Sequence, residues 1–78
     1  MEERLFKFIL KCCKNHDKPD LHTFNIQIMD GLAYVECREQ EVLIRCYWDK
    51  KQVDWCGSPV AATNRLESLG ADISTIDM

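Results

Sequence analysis

Between Glu2 and Asn15 the apolar residues Leu5, Phe8, Ile9 and Cys12 recur at i, i+3, i+4 and i+7, the spacing of one face of an α-helix. Phe6, Leu10 and Cys13 widen that stripe, while Arg4, Lys7, Lys11 and Lys14 follow the same spacing on another side. The polar run Asn15-His16-Asp17-Lys18-Pro19-Asp20 ends the helix, because a residue before proline avoids helical geometry and short polar side chains favour turns.

From Thr23 to Trp55 the period becomes two, and the phase of each strand can be checked against its neighbours. Asp30-Gly31 is a hairpin signal. With those residues at the turn, Met29 pairs with Leu32, Ile28 with Ala33, Ile26 with Val35 and Phe24 with Cys37. A second tight turn at Glu39-Gln40 pairs Cys37 with Val42, Val35 with Ile44 and Ala33 with Cys46. A third at Lys50-Lys51 pairs Trp48 with Val53 and Cys46 with Trp55. All three turns keep one face apolar, and a slip of one residue anywhere would send a strand's apolar set to the opposite side. Four antiparallel strands in a meander are the consistent reading.

The segment Gly57-Ser58-Pro59-Val60-Ala61-Ala62 has the grammar of a helix start: Ser58 as N-cap and Pro59 in the first helical position, with Gly70 just past the end. Ala62, Leu66 and Leu69 share its apolar side. Residues 72–78 hold Ile73 and Ile76 without a period and read as a short extra element or a frayed tail. These elements predict an α+β fold in which residues 1–78 form one small domain. It is a two-layer sandwich: a four-stranded antiparallel β-meander carries the N-terminal and C-terminal helices on one face, in the order α-β-β-β-β-α.

Composition agrees with a folded chain, since 46% hydrophobic and 29% charged residues leave too much apolar content for a disordered one. The N-terminal apolar residues are interrupted by Lys7 and Lys11, which fits neither a secretory leader nor a membrane span, so a cytoplasmic location is expected. Five cysteines, an odd number, are expected to stay reduced thiols there. Charge is unevenly placed. Residues 1–18 carry five basic and three acidic residues, a net of +2; the other sixty carry five basic and ten acidic, a net of −5, which together make the overall −3. Arg4, Lys7, Lys11 and Lys14 therefore form a secondary electrostatic surface on an acidic body.

Candidate chemistry is sparse. Cys12 falls on the helix stripe and is expected in the core, with Cys13 nearer its edge. Cys37 and Cys46 point inward but lie too far apart along the paired strands for a disulfide. A zinc site needs four converging ligands, and Cys13-x-x-His16 supplies only half of one, with His22 and Cys56 as the remaining candidates. No metal and no cofactor are expected. There is no phosphate-binding glycine loop, nucleophile elbow or redox Cys-x-x-Cys, so the chain reads as a non-enzyme with no catalytic residues.

The informative surface is the outer face of the sheet. The register that buries Ile26 and Val35 turns out Met29, Leu32, Tyr34, Leu43, Arg45 and Tyr47, with Tyr34 opposite Arg45 and Leu32 opposite Tyr47. Tyrosine, arginine and methionine are enriched in binding interfaces, so these six residues are the expected partner-binding site. The corresponding function is a small non-enzymatic accessory, regulatory or inhibitory protein that binds another macromolecule, most readily a protein or a second copy of itself as a homodimer. Small phage or mobile-element proteins that block a host complex have this profile. If the C-terminal helix or tail instead crossed over this face, the surface would be closed.

The alternative function is nucleic-acid binding. An α-β-β-β-α core ending in a helix opened by Gly57-Ser58-Pro59-Val60-Ala61-Ala62 resembles the topology of double-stranded RNA-binding domains, whose last helix begins near a Gly-Ser. The resemblance covers most of the chain in outline and implies an RNA partner. It departs at the site itself: where the family places lysines that grip phosphates, this chain has Pro59, Val60, Ala61 and Ala62, so no binding residue is transferred. Tyr34 and Tyr47 beside Arg45 would instead suit stacking on single strands.

Overall fold

The computed structural model describes residues 2–48 and 51–76, and it shows the α-β-β-β-β-α sandwich. Helix α1 (Glu3–Lys14) is opened by the Glu2 carboxylate, which accepts from the Arg4 amide at 3.0 Å. Strands β1 (Thr23–Ile28), β2 (Gly31–Cys37), β3 (Val42–Trp48) and β4 (Lys51–Gly57) follow in chain order across one antiparallel sheet. Helix α2 (Pro59–Ser68) starts at Ser58, whose hydroxyl accepts from the Ala61 amide at 3.2 Å.

Both helices lie on the same side of the sheet. Leu5, Ile9, Cys12 and Cys13 of α1 and Ala62 and Leu66 of α2 share one buried cluster with Ile26, Ile28, Ala33, Val35, Cys37, Val42, Ile44 and Cys46. Cys13, expected near the stripe's edge, is inside. Thr63 is the buried polar residue of α2, and its hydroxyl donates to the Pro59 carbonyl at 2.9 Å, so it carries no unmet bond into the core.

The β2–β3 register is the one expected: Cys37 pairs with Val42, Val35 with Ile44 and Ala33 with Cys46. The two outer hairpins differ by two residues. Ile28 pairs with Gly31, Ile26 with Ala33 and Phe24 with Val35, so Met29-Asp30 makes the turn in place of Asp30-Gly31. Likewise Trp48 pairs with Lys51, Cys46 with Val53 and Ile44 with Trp55; the turn residues 49–50 lie outside the described residues. A shift of two preserves which side each residue faces, so the buried set is unchanged. Glycine marks where a positive φ is needed without fixing its place in the turn, and Gly31 takes φ +148° as the first residue of β2.

The chain end decides whether the outer face stays open. After α2, the amides of Gly70 and Ala71 bond back to the carbonyls of Glu67 and Leu66, both at 3.0 Å, a Schellman closure with Gly70 at φ +76°. A Cβ at Gly70 would also stand 3.1 Å from the Met29 Cβ. Gly70→Ala is therefore expected to destabilise the fold by about 1–2 kcal/mol, visible as a lower urea midpoint at unchanged slope.

The segment then runs along the free edge of β1. The Asp72 amide donates to the Gln27 carbonyl at 2.8 Å, the Gln27 amide donates to the Thr75 hydroxyl at 3.1 Å, and Ile76 is buried against the core. Residues 72–76 thus form a short 3₁₀ turn and a single bridge beside the sheet, and they do not cross its outer face. The Asp72 carboxylate accepts from the Ser74 hydroxyl at 2.7 Å and the Ser74 amide at 3.0 Å, which holds its pKa below the usual carboxylate range. A depressed folded-state pKa stabilises the fold above the unfolded value and loses that effect as pH falls through the folded one. Lowering the pH below about 4 is expected to reduce hydrogen-exchange protection, relative to the intrinsic rate at each pH, at Ser74 and Thr75 before the β2 and β3 amides respond.

Candidate functional site on the outer sheet face

Alternation along the strands sends Leu32 and Tyr34 of β2, Leu43, Arg45 and Tyr47 of β3, and Gln52, Asp54 and Cys56 of β4 to the side away from both helices. Tyr34 stands opposite Arg45 and Ala33 opposite Cys46, and one further step of that register brings Leu32 beside Tyr47. Leu32 is 53% exposed and Tyr47 55% exposed, although each sits within a strand. Tyr34 and Arg45 are half-buried between their neighbours.

Two of the expected residues behave differently. Leu43 is only 8% exposed yet stands outside the core cluster. It is the second residue of β3, a central strand, between Glu36 and Cys56, where flanking strands leave a short aliphatic chain little access to water. It is a support of the face and offers a partner little area. Met29 is 83% exposed but belongs to the β1–β2 turn: its amide donates to the Leu69 carbonyl at 3.0 Å and its side chain lies against Gly70. It projects at the end of the sheet, separate from the Leu32–Tyr47 pair.

Arg45 is not a free cation. Its Nε donates to Asp54 Oδ1 at 3.1 Å and its terminal nitrogen to Oδ2 at 3.4 Å, while Gln52 donates to the same carboxylate at 3.1 Å. The guanidinium bond holds the Asp54 carboxyl below its usual range, and the pairing raises Arg45 further above its own. The face is thus two exposed apolar side chains beside a self-neutralised charged group, with Glu36 and Arg38 forming a second such pair at 3.0 Å.

Arg4, Lys7, Lys11 and Lys14 are all exposed on α1, which lies in the other layer. The structure therefore separates the two candidate surfaces by the thickness of the sandwich.

The four residues weighed as metal ligands do not converge. Cys13 is buried under α1, Cys56 is exposed on the outer sheet face, His16 bonds through Nδ1 to the Cys13 carbonyl at 3.0 Å, and His22 through Nδ1 to the Lys18 carbonyl at 2.7 Å. Among the described residues no cluster of histidine, cysteine, aspartate or glutamate could hold a metal ion, and no helix is long and apolar enough to cross a membrane. Cys12, Cys13 and Cys37 are all buried in the one core cluster.

Compared with known proteins, the chain matches no family model, no curated protein and no solved structure.

Proposed function

We propose that this is a small non-enzymatic regulatory or inhibitory protein of the cytoplasm that acts by binding another protein through the outer face of its sheet. The observation carrying the reading is that Leu32 and Tyr47 stand side by side, both more than half exposed, on a face that neither helix nor residues 72–76 cover. Exposed apolar side chains grouped on a sheet face commonly mark where a partner binds, and one side of a specific interface uses roughly 800 Å². Tyr47 supplies a rigid amphipathic anchor and the Arg45–Asp54 pair a polar rim with its charges already matched. A second copy of the chain is one candidate occupant.

The nucleic-acid alternative has less support on this face. Its arginine is engaged by Asp54, and Glu36 and Asp54 oppose a phosphate backbone. Capture from extracts of the native host tests the reading, using wild-type protein beside a Leu32→Ala/Tyr47→Ala variant with matching circular dichroism. A protein retained by the wild type and lost by the variant supports it. Equal retention by both, or salt-sensitive binding of oligonucleotides that the variant keeps, counts against it.

A further inference from the structure

The free edge of β1 is occupied along only part of its length. Just before the strand, the Cys37 amide donates to the His22 carbonyl at 2.7 Å. Bonded positions alternate in an antiparallel pair, so Phe24, Ile26 and Ile28 turn their backbone groups to β2, while Thr23, Asn25 and Gln27 turn theirs to the open edge. Gln27 shows what that edge accepts. Its carbonyl takes the Asp72 amide at 2.8 Å and its amide donates to the Thr75 hydroxyl at 3.1 Å, as the segment after α2 passes antiparallel to the strand. Among the described residues nothing bonds to the outward backbone groups of Asn25 and Thr23.

Beside those unmet groups lies an open groove of about 690 Å³ between α1 and β1. Phe8, Leu21, Phe24 and Ile76 give it an apolar lining, and Phe8 and Phe24 form an edge-to-face pair with ring centroids 4.9 Å apart. Lys11 stands exposed on its α1 side, with Lys7 and Lys14 exposed a turn before and after. None of these three lysines forms an ion pair among the described residues. Asp20, in the connection before β1, is the acid of the lining, so the α1 side of the groove is the positive one.

We infer that this edge and groove form a docking site for an extended acidic segment of another protein, which adds to the sheet at Asn25 and Thr23, puts a large apolar side chain in the groove and sets a carboxylate two residues on at Lys11. The spacing follows from the pleat. With the segment antiparallel to β1, as residues 72–75 already are, its residues opposite Asn25 and Thr23 exchange backbone bonds with them. The residue between, opposite Phe24, shares the inward side of Phe24 and enters the groove. The next inward position lies toward His22, the side on which α1 runs on from Phe8 through Lys11 to the connection that leads into β1. A carboxylate there meets an unpaired ammonium. Backbone bonds supply affinity in such a mode, while the groove and the lysines choose the sequence. The site lies on the helix side of the sheet, apart from the outer face that carries Leu32 and Tyr47.

Titration of the isotope-labelled full chain with short synthetic peptides, blocked at both ends, tests the assignment through amide chemical shifts. One peptide carries Thr-Phe-Thr-Glu, a second has both threonine nitrogens methylated, and a third has lysine in place of glutamate. The first is expected to shift the Thr23 and Asn25 amides to saturation while those of Arg45 and Tyr47 stay in place. Methylation should weaken binding about tenfold or more, because two backbone donors are lost. Lys11→Glu, a change at an exposed position, should weaken the glutamate peptide by a similar factor and bind the lysine peptide better than the wild type does. Equal binding of the methylated peptide, shifts centred on Leu32 and Tyr47, or no shift at millimolar peptide would overturn the assignment. Shifts of Thr23 and Asn25 that grow with protein concentration in the absence of peptide would overturn it too, by giving the edge to a second copy of the chain.

Discussion

Replacing Ile26 with alanine is expected to cost about 2–5 kcal/mol, a large share of what holds this chain folded. Ile26 is fully buried on the inner face of β1, paired with Ala33 and within the cluster that also holds Ile9 and Leu66. Deleting its side chain removes favourable transfer from water and opens a cavity in a small core. Since a domain of 78 residues is stable by only on the order of 5–10 kcal/mol, one such change takes a large share of the total. Urea unfolding followed by circular dichroism would show the midpoint collapse. A loss below about 0.5 kcal/mol, the size of an ordinary surface substitution, would mean that this side of the sheet is not the core.

The opposite result is expected one strand away and one face over. Leu32→Ala with Tyr47→Ala removes as much apolar surface or more, yet both side chains are more than half exposed and lie on the uncovered face. Stability should change by about 0.5 kcal/mol or less, while affinity for the partner should fall by at least about thirtyfold, the equivalent of a hot-spot loss near 2 kcal/mol. Isothermal titration with the captured partner gives the second number and thermal unfolding the first. Tyr34 is a poorer probe, because it is half-buried beside Arg45 and its removal would disturb the sheet as well as the surface.

These two substitutions separate what alternation in the sequence specifies from what it leaves open. That Ile26, Val35 and Ile44 share one side follows from their spacing alone, and it survives an error of two residues in the outer hairpins because side-chain direction repeats every two. Register within that parity does not follow. Met29 leaves the strand for the turn because the Leu69 carbonyl and Gly70 receive it there, contacts that come from a helix forty residues away in the chain. Leu43 has the right parity for the outer face but the wrong position across the sheet, since exposure also depends on whether a strand is central and what flanks it. Gly57 is a further case: a Cβ there would come within 2.5 Å of the Trp55 ring, so the glycine lets the indole lie over the edge strand, a fit invisible in the spacing of apolar residues. The helix caps were legible because Ser58, Pro59 and Gly70 act through their own backbone.

Hydroxyl-radical footprinting of the protein, alone and then bound to its captured partner, examines the open face most directly. Alone, Leu32 and Tyr47 should be oxidised readily while Ile26 and Val35 stay unmodified, and in the complex Leu32 and Tyr47 should become protected with the α1 segment from Arg4 to Lys14 unchanged. Leu32 and Tyr47 shielded in the free protein, or equally reactive with the partner bound, would contradict the account.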